Sequence, residues 1–154
     1  MLETNPYIMS DNNLIQIRKD KIQLWEELGY EGYARTYDRT HKVSDLSTEI
    51  EGKELRSPKD IMSDCKNEIS ICGRIMNARE MGKLAFLKIR DVSGDFQVCL
   101  AQDVLGDNFK TWLKALDLGD FAGFRGECFL TKHGEKSLMA AEITPLAKSI
   151  RPLP

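Results

Sequence analysis

The sequence lacks a long apolar run, and this absence excludes a membrane-spanning helix. Among its 154 residues, 42% are hydrophobic and 30% are charged, but no uninterrupted apolar stretch approaches the roughly 18 residues that such a helix needs. Residues 1–10 also lack a basic segment followed by an apolar core, which is the pattern of a secretory signal. We therefore predict a globular protein without a membrane partner, located in the cytoplasm.

Cysteine and histidine are too few and too scattered to predict a metal centre. No two cysteines form a C-x-x-C pair, and only His41 and His133 could assist them as ligands. Reduced thiols are the expected state of such cysteines in the cytosol. The four cysteines are Cys65, Cys72, Cys99 and Cys128.

The sequence also has no excess of positive charge and no common catalytic motif. Its formal net charge is −2, so bulk attraction to phosphates cannot dominate any binding of nucleic acid. It contains no G-x-x-x-x-G-K phosphate loop and no nucleophile with a positioned base. We predict no catalytic residue and no cofactor in this chain. An RNA partner would be recognised at a local site, by stacking and base-edge hydrogen bonds.

The first residues predict an amphipathic helix. Leu14, Ile17, Trp25 and Leu28 lie on one helical stripe, interrupted at Lys21. The run 11–13 offers a cap and Gly29 a stop. The remaining faces carry charged residues that we expect to be solvated: Arg18, Lys19, Lys21, Glu26 and Glu27.

A second, shorter helix is predicted before the β-rich part. Ser57 and Pro58 suit the N-cap and first turn of a helix. We therefore divide the chain into residues 1–64, a helical extension and linker, and residues 65–154, a separate folded domain.

From Glu68 the hydrophobic period changes to two, which predicts β-strands. Three strands beginning near residues 69, 84 and 96 form a meander. A helix over 103–116 follows, and then two strands over about 121–131 and 137–144. This order is that of a five-stranded OB-fold barrel. Gly123 and Gly126 suit the bulges at which a small barrel turns its corners.

The parity of the second and third strands predicts a binding face. OB barrels bind on the outer face of these strands. If Leu87 and Val98 point inward, Phe86 and Gln97 point outward. An exposed phenylalanine can stack on a base, and a glutamine can match the edge of an unpaired uracil. The alternatives are that the amino-terminal segment covers Phe86 and that Gln97 is an ordinary surface residue.

Four further polar residues fall in the two loops that rim this face. Arg79 and Lys83 belong to the first loop, and His133 and Glu135 to the loop between the last two strands. Arg79 can donate to a base oxygen or a phosphate, whereas an ionised Glu135 would select a base edge that presents a donor. Glu135 could equally be an ordinary surface residue.

With these residues in place, the chain resembles the anticodon-binding domain of class II lysyl-tRNA synthetases. Arg79, Gly82, Phe86 and Gln97 are shared with the related aspartyl and asparaginyl enzymes. The LDLGD run at 116–120, the turn at 133–135 and the KSIRPLP run at 148–154 favour the lysyl member. The further matching segments are 73–76, 90–91 and 93–94 in the barrel, and Arg18, Leu24, Gly29 and 39–41 before it.

The resemblance implies a role in tRNA selection. Phe86 would stack on the central uridine of the UUU-type anticodon of tRNA-Lys, Arg79 and Gln97 would bond its edge, and Glu135 would read the neighbouring uridine. It also implies a bacterial-type, homodimeric parent that attaches lysine to tRNA with ATP and magnesium in a catalytic domain beyond residue 154. This chain alone would then be inactive.

Two other functions remain open, and three residues depart from the expected pattern. The chain could be a free-standing OB-fold module that binds single-stranded RNA, or a domain that binds proteins or oligosaccharides.

Cys99 and Cys128 occupy barrel positions where the resemblance gives no reason for cysteine, and Asp95 places a negative charge beside the predicted site.

Overall fold

The structure is a computed structural model that describes residues 11–30 and 36–149. The predictions on a secretory signal in residues 1–10 and on the end of the KSIRPLP run lie outside the described residues. No described helix is long and apolar enough to cross a membrane. In chain order the elements are α1 (Asp11–Glu27), α2 (Val43–Glu49), α3 (Pro58–Ser63), β1 (Ile69–Met81), β2 (Leu84–Asp91), β3 (Gly94–Ala101), α4 (Gln102–Leu105), α5 (Asn108–Ala115), β4 (Phe121–Leu130) and β5 (Lys136–Ala147).

The five strands close into a barrel in the order β1-β2-β3-β5-β4. The pair β3 and β5 is parallel and places Gln97 opposite Ser137. The other neighbours are antiparallel, and β4 returns to β1 to complete the closure. The predicted OB-fold is confirmed.

One of the two predicted corner glycines lies at a corner. The register of β4 against β5 shifts between Arg125 and Gly126, and a Cβ at Gly126 would overlap the carbonyl oxygen of Met139. Gly123 pairs in regular register. A Cβ there would come within 2.5 Å of the ring of Tyr37, so this glycine makes room for an aromatic side chain instead of a bulge.

The barrel interior and the amino-terminal helices share one hydrophobic core. Leu87 and Val98 are fully buried, as the period-two pattern predicts. Trp25 of α1 and Leu46 of α2 are also fully buried in this cluster, and burying side chains of this size contributes about 1.5–3 kcal/mol each. Residues before and after position 64 thus contribute to the same core. The division of the chain into two parts at residue 64 stays a prediction.

The buried face of α1 includes two charged residues, which corrects the predicted solvated face. Arg18 is 7% exposed and Lys21 is 9% exposed, and both lie on the stripe that runs from Leu14 to Trp25. The Nζ atom of Lys21 donates to Asp117 at 2.9 Å. The charge of Lys21 favoured an exposed position in the sequence analysis, but an ammonium group can be buried when a carboxylate is buried with it.

Lys148 is the centre of a buried charge cluster. Its ammonium group donates to Asp117 and Asp120, each at 2.7 Å, and to the carbonyl oxygen of Ala115 at 3.0 Å. These contacts use all three of its donors. With Lys21 included, two carboxylates face two ammonium groups.

The two carboxylates respond differently to burial. Burial acts to raise the pKa of Asp117, but attraction to Lys148 and Lys21 outweighs it and lowers the pKa to about 2. Burial raises the pKa of Asp120 despite the contact with Lys148. Asp120 is 0% exposed and Asp117 is 3% exposed, and of these two carboxylates only Asp117 contacts a second ammonium group within the described part of the chain.

The single helix predicted between the third and fourth strands is in fact two. The chain leaves α4 at Gly106, whose φ of +63° is in the left-handed region, and α5 begins two residues later. Leu105 and Phe109 keep a helical spacing across this break. The hydrophobic period therefore could not reveal it.

We expect Lys148→Met to lower the free energy of unfolding by about 3–5 kcal/mol, because two buried carboxylates lose their shared partner. Urea denaturation at neutral pH measures this. Lys114→Met replaces an exposed lysine in α5 and should change stability by less than about 0.5 kcal/mol. Equal effects of the two substitutions would contradict the assigned role of Lys148.

Candidate functional site

The outer face of β2 and β3 carries the two residues predicted there by parity. Phe86 and Gln97 are half-buried and alternate with the buried Leu87 and Val98. Phe86 lies opposite Cys99 in the β2–β3 ladder. The outward direction is therefore confirmed, whereas binding by these residues stays a prediction.

Arg79 reaches this face from the end of β1 and not from a loop. A register shift between Ile75 and Asn77 inserts one extra residue into β1. Strict alternation from the buried Ile75 would have turned Arg79 inward, and the bulge reverses the parity. Arg79 pairs directly with Phe86, and its guanidinium carbon lies 5.4 Å from the centre of the ring, within the range of a cation–π interaction.

A short chain of hydrogen bonds orients the amide of Gln97. Its Nε2 donates to the hydroxyl of Ser137 at 2.9 Å, and that hydroxyl donates to the carbonyl oxygen of Glu135 at 3.5 Å. Because Ser137 donates its only proton to Glu135, it acts as an acceptor toward Gln97. The amide oxygen and the second amide hydrogen of Gln97 have no hydrogen bond with the described residues, so an acceptor and a donor remain available to a ligand.

His133 and Glu135 lie in the tight turn between β4 and β5. The backbone N–H of Glu135 donates to the hydroxyl of Thr131 at 3.1 Å, and the N–H of Thr131 donates to the carbonyl oxygen of Glu135 at 3.0 Å. Gly134 has a φ of +80°, which this turn requires. The turn therefore holds two exposed polar side chains at the edge of the face.

A pocket of about 390 Å³ brings five of the six predicted site residues together. Lys83 is the sixth; it is exposed in the turn between β1 and β2 and does not line the pocket. The volume lies in the roughly 300–1,000 Å³ range of small-molecule sites, so a planar group such as a base can enter. The five residues are Arg79, Phe86, Gln97, His133 and Glu135.

A second apolar cluster on the outside of the barrel forms part of this pocket, and α3 contributes to it. Phe86 and Met62 of α3 both pack at its margin. The amino-terminal part therefore covers barrel surface next to Phe86, whereas cover of Phe86 itself stays a prediction. The continuous apolar run at 98–101 was the sequence signal for this covered surface, because a strand buried on both faces does not alternate. The buried members are Ile61, Cys99, Ala101, Phe129 and Met139.

The position of α3 is held by an ion pair and a cap. The Nε and Nη2 atoms of Arg56 donate to both oxygens of Glu127 on β4, at 2.8 and 2.7 Å. The hydrogen bond from Arg56 lowers the pKa of Glu127. Ser57 accepts from the N–H of Asp60 at 3.2 Å, and Pro58 occupies the first turn, which confirms the predicted helix start.

The charge of Asp95 is compensated and does not stand alone beside the pocket. Arg90 donates to both its oxygens, at 2.7 and 3.1 Å, and these hydrogen bonds lower the pKa of Asp95. The charged side chains that line the pocket itself are Arg79, Lys132 and Glu135. The negative charge that the sequence places at this site is thus largely neutralised within the barrel surface.

The two buried cysteines, Cys99 and Cys128, contribute apolar surface to the barrel wall. Burial raises the pKa of Cys99 and of Cys128 to about 12, so both thiols are protonated at neutral pH. All four cysteines are free thiols. Within the described ranges, no three His, Cys, Asp or Glu side chains converge as a metal site would require.

Comparison with known proteins identifies relatives of this barrel. Residues 69–146 match the tRNA anti-codon family, described as an OB-fold nucleic acid binding domain. The lysine–tRNA ligase of Latilactobacillus sakei is 37% identical over 144 residues, which are 93% of this chain and 28% of the ligase. That of Oceanobacillus iheyensis is 36% identical over 93% of this chain and 28% of the ligase.

The lysine–tRNA ligase of Enterococcus faecalis is 32% identical over 152 residues, which are 99% of this chain and 30% of the ligase. The similarity thus includes the helices before the barrel. The chain spans less than a third of the length of these relatives.

We expect Arg56→Met to loosen α3 and to speed the alkylation of Cys99. Loss of a partly exposed ion pair is a small effect, which should enlarge the open population of α3 by roughly a few-fold. The measurement is the rate of modification by iodoacetamide at pH 8, followed for each cysteine by mass spectrometry.

Two controls isolate this effect. Cys128 belongs to the interior cluster, so its rate in Arg56→Met should not change. Lys53→Met removes an exposed lysine whose one ion pair with the described residues is to Glu49, and it should change neither rate. An unchanged Cys99 rate in Arg56→Met would show that the ion pair does not hold α3 in place.

Proposed function

This chain belongs to the tRNA anti-codon family of OB-fold nucleic acid binding domains, and we propose on that basis that it reads the UUU-type anticodon of tRNA-Lys. The observation that carries the proposal is the grouping of Arg79, Phe86 and Gln97 with the turn residues His133 and Glu135 around one pocket. Each supplies a contact that an unpaired base needs.

Phe86 is the stacking platform of the proposed site. Its ring lies on the outer face and borders an apolar cluster, so a base placed on it leaves water for an apolar surface. The guanidinium of Arg79, 5.4 Å from the ring centre, offers donors to a base oxygen or to a neighbouring phosphate. Stacking and hydrogen bonding thus converge on one base.

Gln97 supplies the selectivity for uracil in this proposal. With its amide nitrogen turned toward Ser137, Gln97 presents one acceptor and one remaining donor. Uracil offers an N–H flanked by carbonyl oxygens on its pairing edge, which complements this pair of groups. Cytosine presents an acceptor where uracil presents the N–H.

The exposed turn residues would address what surrounds that base. Glu135 accepts hydrogen bonds when ionised, which suits the N–H of a neighbouring uridine. His133 on the same turn and Lys83 at the opposite rim would contact the sugar-phosphate backbone. The net charge of −2 means that these local groups, and not the overall field, must supply the attraction.

The activity of the whole protein is part of the same proposal. The relatives are lysine–tRNA ligases of which this chain matches 28–30%, so we propose a homodimeric parent that attaches lysine to tRNA with ATP and magnesium in the cytoplasm. The described residues offer no cluster suited to a metal ion. This part of the protein would therefore select the tRNA and would not carry out the chemistry.

The test is a titration of this chain with a UUU anticodon stem-loop and with a loop changed only at the central uridine, at two salt concentrations. The central change should weaken binding by about 1–3 kcal/mol at both salts. Phe86→Ala should abolish this difference, because it removes the stacking platform.

Phe121→Ala is the matched control. Phe121 is 39% exposed on β4 and also lies beneath an arginine, with Arg74 4.7 Å from its ring centre, but it does not line the pocket. Its substitution should leave the discrimination unchanged. Equal, weak and strongly salt-dependent binding of both loops to the unsubstituted chain would refute anticodon reading and indicate phosphate contacts alone.

A further inference from the structure

We infer that α3 forms a side wall of the pocket and that Met62 contacts the base stacked on Phe86, so that residues before the barrel take part in reading the RNA. This inference rests on the proposed function. It assigns a base contact outside the strands and loops from which OB barrels bind.

The first support is the composition of the pocket wall. Met62 and Pro58, both from α3, line the same pocket as Phe86 and Gln97. Met62 is half-buried and packs at the margin of the outer cluster, as Phe86 does. A base that enters to reach the Phe86 ring therefore meets atoms of α3 as well as atoms of the barrel.

The second support is that α3 is fixed before any ligand arrives. Ile61, the neighbour of Met62, is 0% exposed within the outer cluster. The double hydrogen bond between Arg56 and Glu127 holds the start of this segment on β4. A helix held by Arg56 before its start and by Ile61 beside Met62 behaves as a wall, because moving it would expose Ile61 and break the ion pair.

The third support is the chemistry of the side chain. A methionine thioether is polarizable, adapts its rotamers to irregular gaps and makes favourable contacts with aromatic rings. A base is a flat aromatic ring system. Met62 and the edge of the Phe86 platform can therefore enclose it and exclude water from the hydrogen bonds to Gln97, which strengthens them.

The experiment compares Met62→Ala with the unsubstituted chain, using the UUU stem-loop and the same stem-loop with an abasic central nucleotide. Met62→Ala should weaken binding of the intact loop roughly threefold to tenfold and should leave binding of the abasic loop unchanged. Met62→Leu, which keeps the apolar volume, should retain most of the affinity.

The controls separate a base contact from a disturbed helix. Met76→Ala alters a half-buried methionine of β1 that does not line the pocket and should affect neither loop. The alkylation rate of Cys99 in Met62→Ala should match that of the unsubstituted chain, since α3 stays in place. Equal weakening of both loops by Met62→Ala would overturn the inference.

Two further outcomes are decisive. Tighter binding by Met62→Ala would mean that Met62 is a lid over Phe86, which overturns its role as a wall. If the unsubstituted chain prefers the intact loop and Phe86→Ala removes that preference, while Met62→Ala has no effect, the inference alone fails. If the unsubstituted chain binds both loops equally, the proposed function fails and the inference fails with it.

Discussion

The contact of Lys148 with Asp117 and Asp120 positions much of the rest of the structure. It fixes the 116–120 turn, and that turn forms two backbone hydrogen bonds with Ile75 of β1. The N–H of Ile75 donates to the carbonyl oxygen of Asp120, and the N–H of Gly119 donates to the carbonyl oxygen of Ile75, each at 2.8 Å. The register of β1 shifts immediately after this point. The shift turns Arg79 outward to meet Phe86, so the bulge that places a residue of the candidate site lies next to the contact between β1 and this turn.

The same cluster explains why the amino-terminal helix and the barrel form one core. Lys21 brings α1 to Asp117, and the indole N–H of Trp25 donates to the carbonyl oxygen of Ala115 at 2.9 Å. Isolated buried charges are strongly unfavourable, whereas a group of two ammonium and two carboxylate groups with good geometry is tolerated and admits few alternative arrangements. The two acidic residues of the LDLGD run thus stabilise the packing of the core and do not belong to the candidate site.

The outward direction of Phe86 and Gln97 was predictable, because β2 and β3 pair without a register shift and each of these residues is the neighbour of an inward residue, Leu87 or Val98. The strand order was predictable from the period-two hydrophobic pattern. The start of α3 was predictable because Ser57 is a favourable N-cap and Pro58 suits the first turn. Arg79 was assigned to a loop because β1 extends to Met81, through a polar stretch after Met76 that shows no period-two alternation of apolar residues. Burial of Lys21 was missed because its partner Asp117 lies 96 positions away in the sequence.

The inner and outer faces of the barrel strands differ in how completely they are buried. The pocket lies where the outer face is only partly covered. Inside, β3 fills the barrel with Val98 and Leu100, which are 0% exposed. Outside, α3 covers the far part of β3, but it leaves Phe86 and Gln97 half-buried. A fully covered face could not bind a ligand, and on a fully exposed face water would surround each hydrogen bond between the protein and the ligand. Because the chain carries little net charge, the selectivity proposed for this pocket would come from this intermediate state, in which one aromatic ring and one oriented amide are accessible but partly shielded from solvent.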